Sequence, residues 1–212
     1  MIKVIIADDH RIVREGLKRI LDETHDIKVI GEASTGIEAI QKIEANPPDV
    51  LILDISMPDM DGLDATKQIH ETFPKLPILI LTVHLPKQYA LRLFRAGAKG
   101  YLVKDVASEE LVKALRKLNA GKLYLSPEVS EELALQKIKS DADFSPVECL
   151  SDRELQILCF IASGKTTREI AASLNLSSKT IDTYRTRLFE KLNLRNNSEL
   201  IKFALHHKLV DY

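Results

Sequence analysis

The first part of the chain alternates between two hydrophobic rhythms. Short apolar, β-branched runs, "IKVIIA", "IKVIGEA", "DVLILD", "PILILT" and "GYLVK", each precede a stretch whose apolar residues recur every three or four positions. The runs read as strands, and an unbroken one such as Val50 to Leu53 reads as buried on both faces. The intervening stretches read as amphipathic helices. In "HRIVREGLKRILD" the stripe is Ile12, Val13, Leu17, Ile20 and Leu21; in "TGIEAIQKIEA" it is Ile37, Ala39, Ile40 and Ile43. "GLDATKQIHETF", "QYALRLFRAGA" and "SEELVKALRKLNAG" continue the series, with Gly97 and Gly121 where helices stop. Five βα units with short connections predict an α/β fold: a parallel sheet between two helical layers, in the flavodoxin-like order. Its crevice lies at the carboxyl ends of the strands.

After Lys122 the rhythm changes. "LYLSPEVSEELALQKI" predicts a linker helix begun by Ser126-Pro127, and "KSDADFSPVE" is polar, placing a boundary near residue 145. The rest has no strand signal. "SDRELQILCFIAS" is a helix capped by Ser151, with Glu154 completing a capping box, Leu155, Leu158, Cys159 and Ile161 facing a core, and Gly164 ending it. "TTREIAASLN" is a short helix, "SSKTIDTYRTRLFEKLN" a longer one after a tight Asn-Leu-Ser turn, and "NSELIKFALHHKL" a last one. The chain therefore divides into an α/β domain over 1–122, a linker with a helix over 123–145, and a small all-α four-helix domain over 146–212 containing a helix-turn-helix.

Composition narrows the picture little. A hydrophobic content of 45% in 212 residues suffices for packed cores, and a formal net charge of -1 announces no nucleic-acid partner. From residue 146 onward ten Lys/Arg face eight Asp/Glu, a net of +2, so charge argues only weakly for DNA. No apolar run is long enough to span a bilayer, and "MIKVIIADDH" turns acidic too soon for a signal peptide. Cys149 and Cys159 form no metal or redox motif, and a reducing cytoplasm is the expected location.

Candidate chemistry gathers at the strand ends. "IKVIIADDH" ends on Asp8 and Asp9, and "VLILDISMPDMDG" delivers Asp54 before a turn-rich stretch. In a parallel sheet these carboxylates project into one crevice, where like charges repel unless a cation intervenes. Mg²⁺, which takes oxygen ligands and keeps several waters, would resolve the conflict. "PILILT" adds the Thr82 hydroxyl and "GYLVK" the Lys104 ammonium. An acidic pocket with a metal, a hydroxyl and a lysine suits a phosphoryl group, with Asp54 as nucleophile.

The motifs "IIADDH", "LILDISMPDMDG", "LILT" and "GAKGYLVKD" resemble the receiver domain of bacterial two-component response regulators over about the first 120 residues. The tail, "LSDRELQILCFIASGKTTREIAASLNLSSKTIDTYRTRLFEKL", is similar to the DNA-binding domain of the NarL/FixJ (LuxR-type) class. The resemblance implies a non-enzymatic, phosphorylation-dependent transcriptional regulator. It makes Asp54 the phosphoacceptor, with Thr82 and Lys104 touching the phosphoryl group. Mg²⁺ would bind Asp9, Asp54 and the Ser56 backbone carbonyl directly, and Asp8 through water. Tyr101 would be the aromatic switch residue, moving inward as Thr82 shifts. Asp105 follows Lys104 where many receivers carry proline, and Ser56 and His84 occupy positions that tune phosphoryl lifetime. Implied partners are a cognate histidine kinase, double-stranded DNA and a second copy of the chain in the active state, with no membrane.

The helix over roughly 178–192 is the expected recognition helix. Ile181, Leu188 and Leu192 make its core stripe, while Lys179, Asp182, Thr183, Arg185, Thr186 and Arg187 show on the opposite face. Lys179, Thr180, Asp182, Thr183, Tyr184, Arg185, Arg187 and Lys191 are the candidate DNA contacts; arginine and lysine reach phosphates or guanine edges, and threonine reaches thymine methyls. "NSELIKFALHHKL" offers a second apolar face through Leu200, Phe203, Ala204 and Leu205, which the family uses for dimerisation. Two other readings stay open. A Mg²⁺-dependent aspartate-nucleophile phosphatase would carry an acid where Ser56 stands and a substrate cap. A receiver-based adaptor would bind protein through its tail.

Overall fold

The structure, a computed structural model, describes residues 1–55, 57, 60, 62–82, 87–104, 108–125, 146–174, 176–207 and 209–210. The expected helix at Ser126-Pro127, most of the polar linker, and positions Ser56, His84 and Asp105 lie outside these residues. The chain forms two compact units, one drawn from residues 1–126 and one holding the C-terminal helices. Among the described residues no helix is long and apolar enough to cross a membrane.

The N-terminal part of the chain alternates β1 (Ile2–Ala7), α1 (Arg11–Asp22), β2 (Ile27–Ala33), α2 (Gly36–Ala45), β3 (Val50–Asp54), α3 (Gly62–Thr72), β4 (Ile78–Thr82), α4 (Lys87–Arg95), β5 (Gly100–Val103) and α5 (Ser108–Asn119). The five strands pair in parallel in the order β2-β1-β3-β4-β5, as the βα rhythm predicts. Every residue of β3 and β4 is buried, because both sheet faces are covered. Alternation sorts the strands into two cores. Val4, Ile6, Val50, Ile52, Leu79, Leu81 and Leu102 pack with Leu17 and Leu21 of α1 and with Leu111, Leu115 and Leu118 of α5. Ile5, Leu51, Leu53, Ile78 and Ile80 are buried on the other face, where α2 lies on β1 and β2 and α3 on β3.

Two residues of the expected stripes are corrected. Ile12 is 84% and Ile37 is 52% exposed. Each helix takes its core face from a pair four residues apart, Leu17 with Leu21 and Ala39 with Ile43. Ile37 lies two positions from Ala39, about 200° round the helix, and cannot share its face. Gly97 stops α4 with φ at 118°, and a Cβ there would meet the His70 ring at 2.2 Å. Beyond α5 the chain returns to the sheet. Tyr124 is buried, its N–H donates to the Lys99 carbonyl at 3.0 Å and its carbonyl accepts from the Tyr101 N–H at 3.2 Å.

The second unit contains a short 3-10 helix (Pro146–Cys149), α6 (Asp152–Ala162), α7 (Thr167–Ser173), α8 (Ser178–Leu192) and α9 (Asn197–His206). α6 is the hub: Glu154 through Cys159 are all buried, and it packs on α8 and α9. Its expected capping box forms, with the Ser151 hydroxyl accepting from Glu154 N–H and the Glu154 carboxylate accepting from Ser151 N–H. Thr166 and Glu169 repeat the device on α7, and Ser177 and Asn196 cap α8 and α9. In the stripe of α8, Ile181 and Leu188 are buried and Leu192 is half-buried. On α9, Leu200 and Ala204 serve the core, whereas Phe203 and Leu205 are half-buried.

Candidate functional site

The carboxyl edge of the sheet is assembled by register. Ala7 lies opposite Leu53, Asp54 opposite Leu81, and Thr82 opposite Val103. Alternation then decides which side chains meet. Asp8 continues the row of Val4 and Ile6, Asp54 that of Val50 and Ile52, and Lys104 that of Leu102, all on the face covered by α1 and α5. Thr82 continues the opposite row with Ile80, which pairs with Tyr101. Both Thr82 and Tyr101 are buried.

The polar contacts agree with that sorting. Lys104 Nζ lies 2.7 Å from Asp8 Oδ2 and 2.9 Å from Asp54 Oδ2. Asp8 and Asp54 are each only 1% exposed. Asp8 Oδ1 accepts from the His10 N–H at 2.8 Å, and the Asp8 carbonyl accepts from Arg14 Nη1 at 2.6 Å. Burial pulls the Lys104 ammonium down, but Asp54 and then Asp8 outweigh it and hold its pKa above the ordinary value. Downstream of Asp54 the chain is pinned by Gly62, whose N–H donates to the Ile55 carbonyl at 3.2 Å. A Cβ on Gly62 would lie 2.3 Å from the Ile55 Cα.

Asp8, Asp9, His10 and Asp54 each offer a donor atom, all within 4.8 Å of one another. Opposite ligands of an octahedral Mg²⁺ lie about 4.2 Å apart, so these donors are spread only slightly wider than the shell of one ion. Three carboxylates against one lysine leave surplus negative charge, and their oxygens fit a hard divalent cation. The residues present therefore fit Mg²⁺. The expected Ser56 carbonyl lies outside the described residues. His10 is a rim residue that the sequence reading passed over. Its Nδ1 is 2.7 Å from Asp9 Oδ1, and its place directly after the acid pair was the available signal.

A second site lies on α8. Ser177, Lys179, Thr180, Thr183, Tyr184 and Arg187 line an open depression of about 320 Å³. The Arg187 guanidinium stands 5.6 Å over the Tyr184 ring, which fixes its approach. The Thr183 and Thr186 hydroxyls donate back to the Lys179 and Asp182 carbonyls. The remaining candidates are placed differently. Arg185 pairs with Asp182 at 3.2 Å, and Lys191 reaches the Glu154 carboxylate at 2.6 Å.

Comparison with known proteins covers both sites. Residues 4–116 match the response regulator receiver domain family, and residues 148–204 match the bacterial regulatory proteins of the luxR family. The chain is 42% identical over 209 residues to the response regulator UvrY of Escherichia coli O6:H1, covering 99% of this chain and 96% of that protein. It is 38% identical over 211 residues to the response regulator GacA of Pseudomonas aeruginosa, covering 100% and 99%. Among solved structures it is similar to RcsB of Salmonella enterica serovar Typhimurium, bound to the promoter rprA in the presence of the phosphomimetic BeF3-. That likeness has a TM-score of 0.63 and 30% identity, and covers 96% of this chain and 98% of that one.

Proposed function

Since the chain belongs to the two-component response regulators of the NarL/FixJ class, DNA-binding transcriptional regulators that join a receiver to a LuxR-type helix-turn-helix, we propose that Asp54 accepts the phosphoryl group that controls operator binding. The observation that carries this reading is the convergence of buried Asp8 and Asp54 on one lysine at the edge of a parallel sheet.

Asp8, Asp9 and Asp54, with the Ser56 carbonyl, would hold Mg²⁺, which when bound neutralises charge on the acids and on the transferring group. An Asp54 carboxylate oxygen attacks phosphorus, the bond from phosphorus to the donor breaks, and an acyl phosphate remains. The donor is a phosphohistidine of a cognate kinase or a small phosphoanhydride. Lys104, already within bonding distance of Asp54, transfers one of its N–H donors to a phosphoryl oxygen, and the Thr82 hydroxyl donates to another. Tyr101, on the Thr82 row, follows that shift and biases the receiver toward its active arrangement. In this reading the receiver spans 1–122, the linker 123–145 and the DNA-binding domain 146–212. A cytoplasmic homodimer then presents two α8 helices to successive half-sites of duplex DNA.

The test is incubation of the full chain with acetyl phosphate and Mg²⁺, followed by intact-mass and peptide analysis. One phosphoryl group on Asp54, absent in Asp54→Ala and in EDTA, is the expected result. Continuous release of phosphate without a stable adduct, or an adduct elsewhere, would overturn the assignment.

A further inference from the structure

We propose that Lys191 is a positioning residue, holding the recognition helix α8 through buried Glu154 rather than contacting a DNA phosphate; the inference rests on the DNA-binding reading of the C-terminal unit. Glu154 is 2% exposed. Its Oε2 accepts from Ser151 N–H at 2.7 Å and from Lys191 Nζ at 2.6 Å. Lys191 Nζ also donates to the Cys149 carbonyl at 3.3 Å. One ammonium thus ties together the end of the 3-10 helix, the cap of α6 and the last turn of α8. The charges suit their places, an acid in the first turn of one helix and a base in the last turn of the other.

The same contacts argue against a phosphate role. To reach DNA, Lys191 would have to abandon a carboxylate that is almost wholly buried, and an uncompensated buried charge is expensive. The depression lined by Lys179, Thr183 and Arg187 lies toward the other end of α8. At 1.5 Å per residue, Lys179 is about 18 Å along the axis from Lys191, so a tilt of about 10° at the anchored end moves it about 3 Å. Base-edge contacts do not survive such a displacement, whereas general attraction to phosphates does.

The experiment measures binding of the full chain to two duplexes across a KCl series. One is selected by the wild-type chain from a randomised pool; the other is a scrambled duplex of equal length. Lys191→Met and Glu154→Gln should each weaken binding to the selected duplex by about tenfold or more. Binding to the scrambled duplex should change less than about twofold, with the dependence of log K on log salt as in wild type. The double variant should be no worse than either single one, and Lys191→Arg should restore binding. A salt slope reduced by about 0.9 in Lys191→Met, with Glu154→Gln binding as well as wild type or better, would overturn the proposal, because freeing a phosphate contact does that. If the single variants fail to fold, the apolar pair Lys191→Met/Glu154→Leu takes their place: an unchanged salt slope supports the clasp and a reduced one refutes it. Failure of the wild-type chain to bind either duplex in a salt-sensitive way would instead refute the DNA-binding reading itself.

Discussion

Lys104 bonds both buried acids of the edge, and its removal should be felt through them. In Lys104→Ala, Asp8 and Asp54 lose the ammonium they share while Asp9 stays beside them. Mg²⁺ should therefore raise the melting temperature of this variant more than that of wild type, which differential scanning fluorimetry measures. Gly62 acts by lacking a side chain. Gly62→Ala forces a Cβ against the Ile55 backbone, and urea unfolding should show a loss of about 1–3 kcal/mol with slower phosphoryl acceptance at Asp54. The acids were legible in the sequence because strand ends fix where Asp8 and Asp54 must point. Lys191 was not, because a long flexible side chain at a helix end can turn toward solvent or toward a neighbour, and only the buried carboxylate of Glu154 decides.

Whole helices were legible where caps and spacing agreed. α8 covers Ser178–Leu192, the extent expected from the sequence, and α6 starts with the capping box that its sequence spells out. Ser151→Ala should lower stability by about 1 kcal/mol in denaturant unfolding. Faces were less legible than extents, since adjacent apolar residues such as Ile12 and Val13 both fit a stripe until the packing partner is known. The α6–α8 junction also makes a pH prediction. Burial pushes the Glu154 carboxyl up, but Lys191 and the Ser151 bonds outweigh that and hold it below the usual carboxylate range. A group whose folded pKa is depressed contributes stability above its unfolded value and loses it as pH falls through the folded one. Urea unfolding should therefore show wild type ahead of Glu154→Gln at pH 7, with the gap closing as the pH drops below the ordinary carboxylate range.

At the scale of the whole chain, two units with separate cores divide the labour: one carries the acidic pocket, the other the basic face of α8. The sequence made this division visible through its change of rhythm, but bulk charge could not reveal the DNA partner. A net of +2 over the last domain conceals that Lys179 and Arg187 stand together while Arg185 is occupied by Asp182. Binding to duplex DNA should weaken steeply with salt. Lys179→Ala or Arg187→Ala should flatten that dependence by about 0.9 each where a phosphate contact is lost, with a smaller effect for Arg185→Ala. Sedimentation should show the acetyl phosphate-treated chain as a dimer and Asp54→Ala as unchanged by the treatment. The main chain of Tyr124 is laced to Lys99 and Tyr101. The polypeptide leaving the sheet at Tyr124 is thereby yoked, backbone to backbone, to the strand that ends just before Lys104, so a displacement of that strand is felt at its point of departure.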